Sequence, residues 1–231
     1  MCGRFTLRAP ASVVAAQFGL FEMAPFAPRF NVAPTQPVAV VRCLSGEPQH
    51  ERELAWLRWG LIPGWAKDPS VGSRMINARA ETAAEKPSYR AAFRRRRCLI
   101  AADGFYEWQR TGNRKQPYFI RMEDDRPFAF AGLWESWEGA GEGPVQSCTL
   151  LTTEPNALVA PIHNRMPVIL ADDDYAQWLD PSIEEPEAIA PLMRPFPSER
   201  MIAFAVSSYV NSPSRDGARC IERVGEFPLG F

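Results

Sequence analysis

What this sequence of 231 residues has little of narrows its function first. It holds only two histidines, His50 and His163, and none of its five cysteines (2, 43, 98, 148 and 220) forms a Cys-x-x-Cys pair. That excludes the usual zinc spacings and a His-rich metal site, and an odd, scattered cysteine set is no disulfide framework. Single thiols fit a reducing compartment, so a cytoplasmic protein without metal or organic cofactor is expected. An excess of charge is missing too. With 26 Lys+Arg against 27 Asp+Glu the formal net charge is −1, so a nucleic-acid partner must be held by a local patch. No run approaches roughly 18 consecutive apolar residues, which speaks against a membrane span. A leader is considered because Arg4 and Arg8 precede "APASVVAAQFGLF". Pro10 and Gln17 interrupt that stretch, and "SVVAAQF" reads better as a short amphipathic helix capped by Ser12.

What is present describes an ordinary folded chain. Hydrophobic residues make up 46% and charged residues 23%, enough to bury a core within one domain spanning 1–231. Short segments rich in β-branched and aromatic residues, bounded by Gly, Pro or Asp, predict strands at 37–43, 54–62, 98–109, 117–122, 128–137, 147–153, 166–170 and 201–207. Helical patterns are fewer: 12–18, 79–93 with a break near Pro87, 172–179 behind an Asp cap, and 186–194. The Gly-rich, acidic "EGAGEGP" at 138–144 predicts a loop. Strands that follow one another without helices imply antiparallel pairing. The expected fold is a single α+β domain with a mostly antiparallel, barrel-like β core and peripheral helices.

The candidate chemistry begins at "MCGRF". Removal of Met1 would leave Cys2 with a free α-amine and a thiol on adjacent carbons. Near neutral pH part of such an amine is unprotonated and nucleophilic, and a thiolate is a second nucleophile beside it. The amine can condense with an aldehyde to an imine, and the sulfur can then close a five-membered thiazolidine. Otherwise Cys2 is a small, half-buried apolar residue near a mobile terminus. In "GFYEW", Glu107 lies between aromatics, where a carboxyl has its pKa raised toward general-acid range; alternatively it is a solvated strand end. In "APIHNRMPVIL", His163 titrates near neutrality and Arg165 suits oxyanions, although a lone histidine is commonly structural. In "MINARAET", Asn77 can orient a hydroxyl or carbonyl, or cap the next helix, and Arg79 can grip a phosphate. "FRRRRC" places four arginines at 94–97, a solvated turn or a phosphate site. Of Trp56, Trp59 and Trp65, the last follows Pro63-Gly64 and is the one expected to be exposed for base stacking.

Eight stretches taken together resemble the SOS response-associated peptidase (SRAP) family of abasic-site processing proteins. They are "MCGRF", "RFNVAPTQ" (29–36), "WGLIPGW" (59–65), "NARAET" (77–82), "RRCLIAADGFYEW" (96–108), "LTTEPN" (151–156), "IHNRMPVIL" (162–170) and "VNSPSRD" (210–216), in family order. The resemblance implies a single barrel-like domain with a positively charged groove for single-stranded DNA, whose Cys2, freed by Met1 removal, links covalently to the aldehyde of an abasic site; a monomer is expected. It implies Asn77, Glu107 and His163 as the remaining active-site residues. Arg4, Arg79 and Arg165 are implied as phosphate-binding groups, and Trp65 as an aromatic at the DNA edge. A cysteine peptidase built on Cys2, His163 and Glu107 that removes its own leader residue is the first alternative. A non-catalytic single-strand-binding module is the second.

Overall fold

Along residues 37–43, Val38 and Val40 join one apolar cluster while Ala39 and Val41 join another, as a strand's period of two requires. A strand buried on both faces must lie between two layers. The computed structural model, which describes residues 2–43, 51–112, 114–139 and 143–225, shows what those layers are. Met1, His50 and residues 140–142 of the expected loop lie outside the described residues.

The strands in chain order are β1 (Phe5–Leu7), β2 (Arg29–Val32), β3 (Pro37–Cys43), β4 (Arg52–Trp59), β5 (Asn77–Arg79), β6 (Arg97–Ala102) and β7 (Gly104–Thr111). They continue with β8 (Arg114–Met122), β9 (Phe128–Trp137), β10 (Val145–Thr153), β11 (Met166–Pro167), β12 (Ile169–Leu170) and β13 (Met201–Ala205). The α-helices are α1 (Ala11–Phe18), α2 (Ala80–Ala83), α3 (Arg90–Arg95), α4 (Tyr175–Leu179) and α5 (Pro186–Ile189). Strands β10, β4, β3, β6 and β9 hydrogen-bond in that order, and β9 pairs back with β10, closing a five-stranded ring. A second sheet runs β13-β8-β7-β1-β2. One apolar cluster joins ring residues such as Val40, Ile100 and Phe130 to Phe5, Phe105 and Ile120 of that sheet. The other lies under the helices and takes in Val14, Phe18, Phe93, Trp178 and Ile189. The fold is α+β with a barrel-like core; its parallel pairings among the described residues are β10 with β4 and with β5.

The structure departs from the expected elements for local reasons. The strand expected over 98–109 is two strands, because Asp103 and Gly104 carry the chain from the ring to the second sheet. The buried Asp103 carboxylate accepts from Thr6 Oγ1 at 2.5 Å, Arg8 Nε at 3.0 Å and the Ala9 N–H at 2.8 Å. A Cβ at position 104 would meet the Phe119 ring at 2.2 Å, so only glycine fits. Strand β4 ends at Trp59 because Gly60 has φ +127° and its backbone packs on Gly72. Residues 166–170 form two short strands, because they wedge between β10 and β9 where those diverge beyond Leu150 and Gly132.

Ser12 does not cap α1. Pro10 precedes the helix, with φ −57°, and no side chain accepts a capping bond there. The 172–179 segment opens as a 3-10 turn with no side-chain cap, and Asp172 pairs with Arg126 instead. The 79–93 helix is two short ones on either side of Pro87, α2 and α3. Strands β1, β2 and β5, none of them expected, are three or four residues long, and β5 carries Asn77 while β1 directs the chain start toward β7.

Candidate active site

The site is assembled by the start of the chain. Strand β1 runs antiparallel to β7 with Phe5 opposite Phe105, and the Tyr106 N–H donates to the Arg4 carbonyl at 3.0 Å. Residues preceding Phe5 are thereby led along β7 toward Glu107. Cys2 is fully buried, and its thiol donates to the Arg4 carbonyl at 3.6 Å. Burial, together with the Glu107 charge, pushes that thiol well above its ordinary range. Glu107 is 2% exposed, and burial pushes its carboxyl up to about 7.

Asn77 comes from β5, held parallel to β10 with Asn77 opposite Leu150. Its Nδ2 donates to the Cys2 carbonyl at 2.8 Å, while its buried Oδ1 has no hydrogen-bond partner among the described residues. His163 ends a turn that starts at Asn156 and is tied down by Asn156 Nδ2 on the Phe196 carbonyl at 2.7 Å. His163 Nδ1 lies 3.0 Å from the Arg165 N and 3.2 Å from the Arg165 carbonyl oxygen, and a proton on Nδ1 donated to that carbonyl leaves Nε2 free to accept one. Burial lowers the His163 pKa, and the Arg110 charge adds to that, so the neutral form prevails at pH 7. His163 and Glu107 line one cavity of about 400 Å³ with Trp108, Arg110, Lys115 and Asn211. Cys2, Asn77, Glu107 and His163, spread over 161 positions of sequence, therefore meet in one place.

The family model described as SOS response associated peptidase (SRAP) matches residues 1–213. The chain belongs to the SRAP family. It is 43% identical over 226 residues to the abasic site processing protein YoqW of Bacillus subtilis (strain 168), covering 96% of this chain and 99% of that one. It is 36% identical over 195 residues to the abasic site processing protein HMCES of Gallus gallus, covering 74% of this chain and 57% of that one. A crystal structure of a protein from Bacteroides thetaiotaomicron superposes with a TM-score of 0.81 at 26% identity, covering 96% of this chain and all of that one.

Two of the SRAP stretches dock on each other. The Asn31 side chain donates to the carbonyls of Val210, Ser212 and Arg215, and Asp216 accepts from the Asn31 N–H at 3.0 Å and from Arg29 Nε at 2.7 Å. Arg4 joins this junction, donating to Asn31 Oδ1 at 3.1 Å and the Val210 carbonyl at 3.0 Å. Arg165 chelates the Glu81 carboxylate with both Nη atoms, one contact at 2.8 Å, and also donates to the Thr152 carbonyl. Arg79 is exposed, with no salt bridge among the described residues, and Trp65 is 65% exposed. Trp56, at 45%, is also largely open rather than core, with Phe26 against its edge.

The arginine run is divided between solvent and interior: Arg94 and Arg95 are exposed, Arg96 is half-buried and Arg97 is buried. Arg97 is buried and donates to the carbonyls of Phe93 and Arg94 at 2.8 Å, of Trp178 at 2.7 Å and of Asp180. Arg96 pairs with Glu135 and Arg95 with Glu184, so of the run only Arg94 has neither a carboxylate nor a carbonyl partner for its side chain among the described residues.

Sequence reasoning missed Trp108, Arg110, Lys115 and Asn211 as site residues. A hairpin signal was available for two of them: "RTGNRK" reads as a turn, and Arg110 does pair with Lys115 across it. Among the described residues no group of three or more His, Cys, Asp or Glu is placed to hold a metal, and no helix is long and apolar enough to cross a membrane.

Proposed function

We propose that this protein processes abasic sites in single-stranded DNA by forming a covalent crosslink through Cys2 once Met1 is removed. The observation that carries the reading is a buried carboxyl with a pKa of about 7 beside the Cys2 thiol, sharing a cavity with a neutral histidine. The names of the YoqW and HMCES relatives support the substrate class.

An abasic deoxyribose is mostly a closed hemiacetal. His163 takes the proton from the C1′ hydroxyl and returns one to the ring oxygen, which opens the sugar to its aldehyde. The Cys2 amine adds to C1′ and gives a carbinolamine. Protonated Glu107 donates to the departing hydroxyl, which leaves as water, and an imine remains. Glu107, now ionised, accepts the thiol proton as Sγ bonds to C1′, and the imine nitrogen keeps its proton as the ring amine. One carboxyl thus acts first as acid and then as base, which a pKa near the working pH permits. Asn77, holding the Cys2 carbonyl, aims the amine. Thiazolidine closure removes the imine that would otherwise promote β-elimination and strand breakage.

The reading is supported over a cysteine peptidase because such an enzyme needs an easily ionised thiol, and burial with Glu107 pushes this one the other way. Intact-mass measurement after mixing with an abasic single-stranded oligonucleotide tests it. The expected product is the chain without Met1 plus the oligonucleotide less one water, and Cys2→Ser should abolish the heat-stable adduct. An undiminished heat-stable adduct from Cys2→Ser, or an adduct on a chain that keeps Met1, overturns the proposal.

A further inference from the structure

Just past the cavity lies a segment the proposed chemistry does not use. Asn211, which lines the cavity, accepts from Trp108 Nε1 at 2.8 Å, and Tyr209 lies two residues before it in the same apolar cluster as Trp108. Two guanidinium groups sit over the Tyr209 ring, that of Arg215 at 4.5 Å from its centroid and that of Arg219 at 4.7 Å. Arg223 sits over the Phe204 ring at 4.8 Å. All three arginines are exposed, and none makes a salt bridge among the described residues. The acidic groups of the segment do not neutralise them. Asp216 is held by Arg29 and by the backbone N–H groups of Phe30 and Asn31, and Glu222 forms no ion pair among the described residues.

The shared ring keeps the Arg215 and Arg219 charges within about 9 Å of each other, close to a Debye length in physiological salt, so their repulsion is only partly screened. Stacking on an aromatic face holds both side chains in place before any ligand arrives. Two pinned, mutually repelling cations with no carboxylate suit a polyanion that neutralises both. We infer that Tyr209, Arg215, Arg219 and Arg223 form a second DNA-binding surface, which takes the backbone phosphates of the single strand flanking the lesion. Arg215, Arg219 and Arg223 all lie beyond the residues matched by the family model, so the surface extends past the part of the chain that defines the family. The inference rests on the proposed function for the lesion but not on its covalent step.

The test compares two abasic single-stranded oligonucleotides, about 5 and about 15 nucleotides long, by fluorescence anisotropy, because only the longer reaches past the cavity. Arg215→Gln/Arg219→Gln should weaken binding of the long strand about tenfold more than the short one. The salt slope on the long strand should fall by about 1.4, since each single-strand phosphate contact contributes about 0.7. Arg223→Gln, a milder change, should lower that slope by about 0.7. Equal effects on both lengths, or none on the long strand from either variant, overturn the inference. Should the wild-type chain bind abasic DNA without crosslinking it, the proposed chemistry fails while the length-dependent loss still decides the surface.

Discussion

The helix-covered side of the ring and the cavity side of the second sheet treat charge in opposite ways. Under the helices, the buried guanidinium of Arg97 meets four carbonyl oxygens, and its neighbours Arg95 and Arg96 each find a glutamate. Around the cavity, Glu107 is buried at the expense of its ionisation, Arg110 and Lys115 form no ion pair among the described residues, and Arg215 and Arg219 are held against one ring. The first arrangement satisfies three of its four arginines within the protein and leaves only Arg94 open to a ligand. The second keeps electrostatic cost in place for a ligand to relieve. Local density of arginine is thus a poor guide to how many guanidinium groups the protein leaves without a carboxylate or carbonyl partner.

The contrast is tested most severely at Arg97. Arg97→Ala would leave several buried carbonyls without donors and should cost on the order of 3 kcal/mol or more. Urea unfolding measures this, and a loss below about 1 kcal/mol would mean the buried guanidinium is not structural.

On the cavity side, Glu107 makes the opposite prediction. Its folded-state pKa of about 7 lies above the ordinary 4.5, so its contribution is fully present below pH 4.5 and is lost as pH rises through 7. The loss should be on the order of 3 kcal/mol across that window, and Glu107→Gln should flatten it and be the more stable protein at pH 8. Parallel pH–stability curves for the two proteins would remove Glu107 from the costly side of the comparison.

Smaller effects refine the boundary between the regions. Glu81→Gln frees Arg165 from its chelate. Because Glu81 is about half exposed, stability should change by less than about 1 kcal/mol. Affinity for single-stranded DNA should rise by a factor of about 5, and unchanged or weaker binding would show that Arg165 does not face the strand. The smallest effect is expected at Arg94→Ala, an exposed member of the same run as Arg97, within about 0.5 kcal/mol of wild type by the same urea measurement. A cost matching that of Arg97 would erase the distinction within the run.

The long strands were legible because their alternation reports a face to bury. Residues 37–43 and 128–137 are bounded as expected, and Val38/Val40 against Ala39/Val41 shows why. Strands β1, β2 and β5 were not, because three or four residues carry too little pattern; they exist through partners such as β7 and β10, about 70 to 100 positions away. Exposure of Trp65 was readable from the Pro-Gly turn before it, whereas the openness of Trp56 depends on what fails to cover it.

Taken alone, the order of residues determined the kinds of reactive group available: an amine–thiol pair one cleavage from the amino terminus, a carboxyl among aromatics, one histidine beside an arginine. Tertiary structure decided which of them meet and in what protonation state. Burial and distant partners set a pKa or occupy an arginine, and both depend on chain segments that only folding brings alongside.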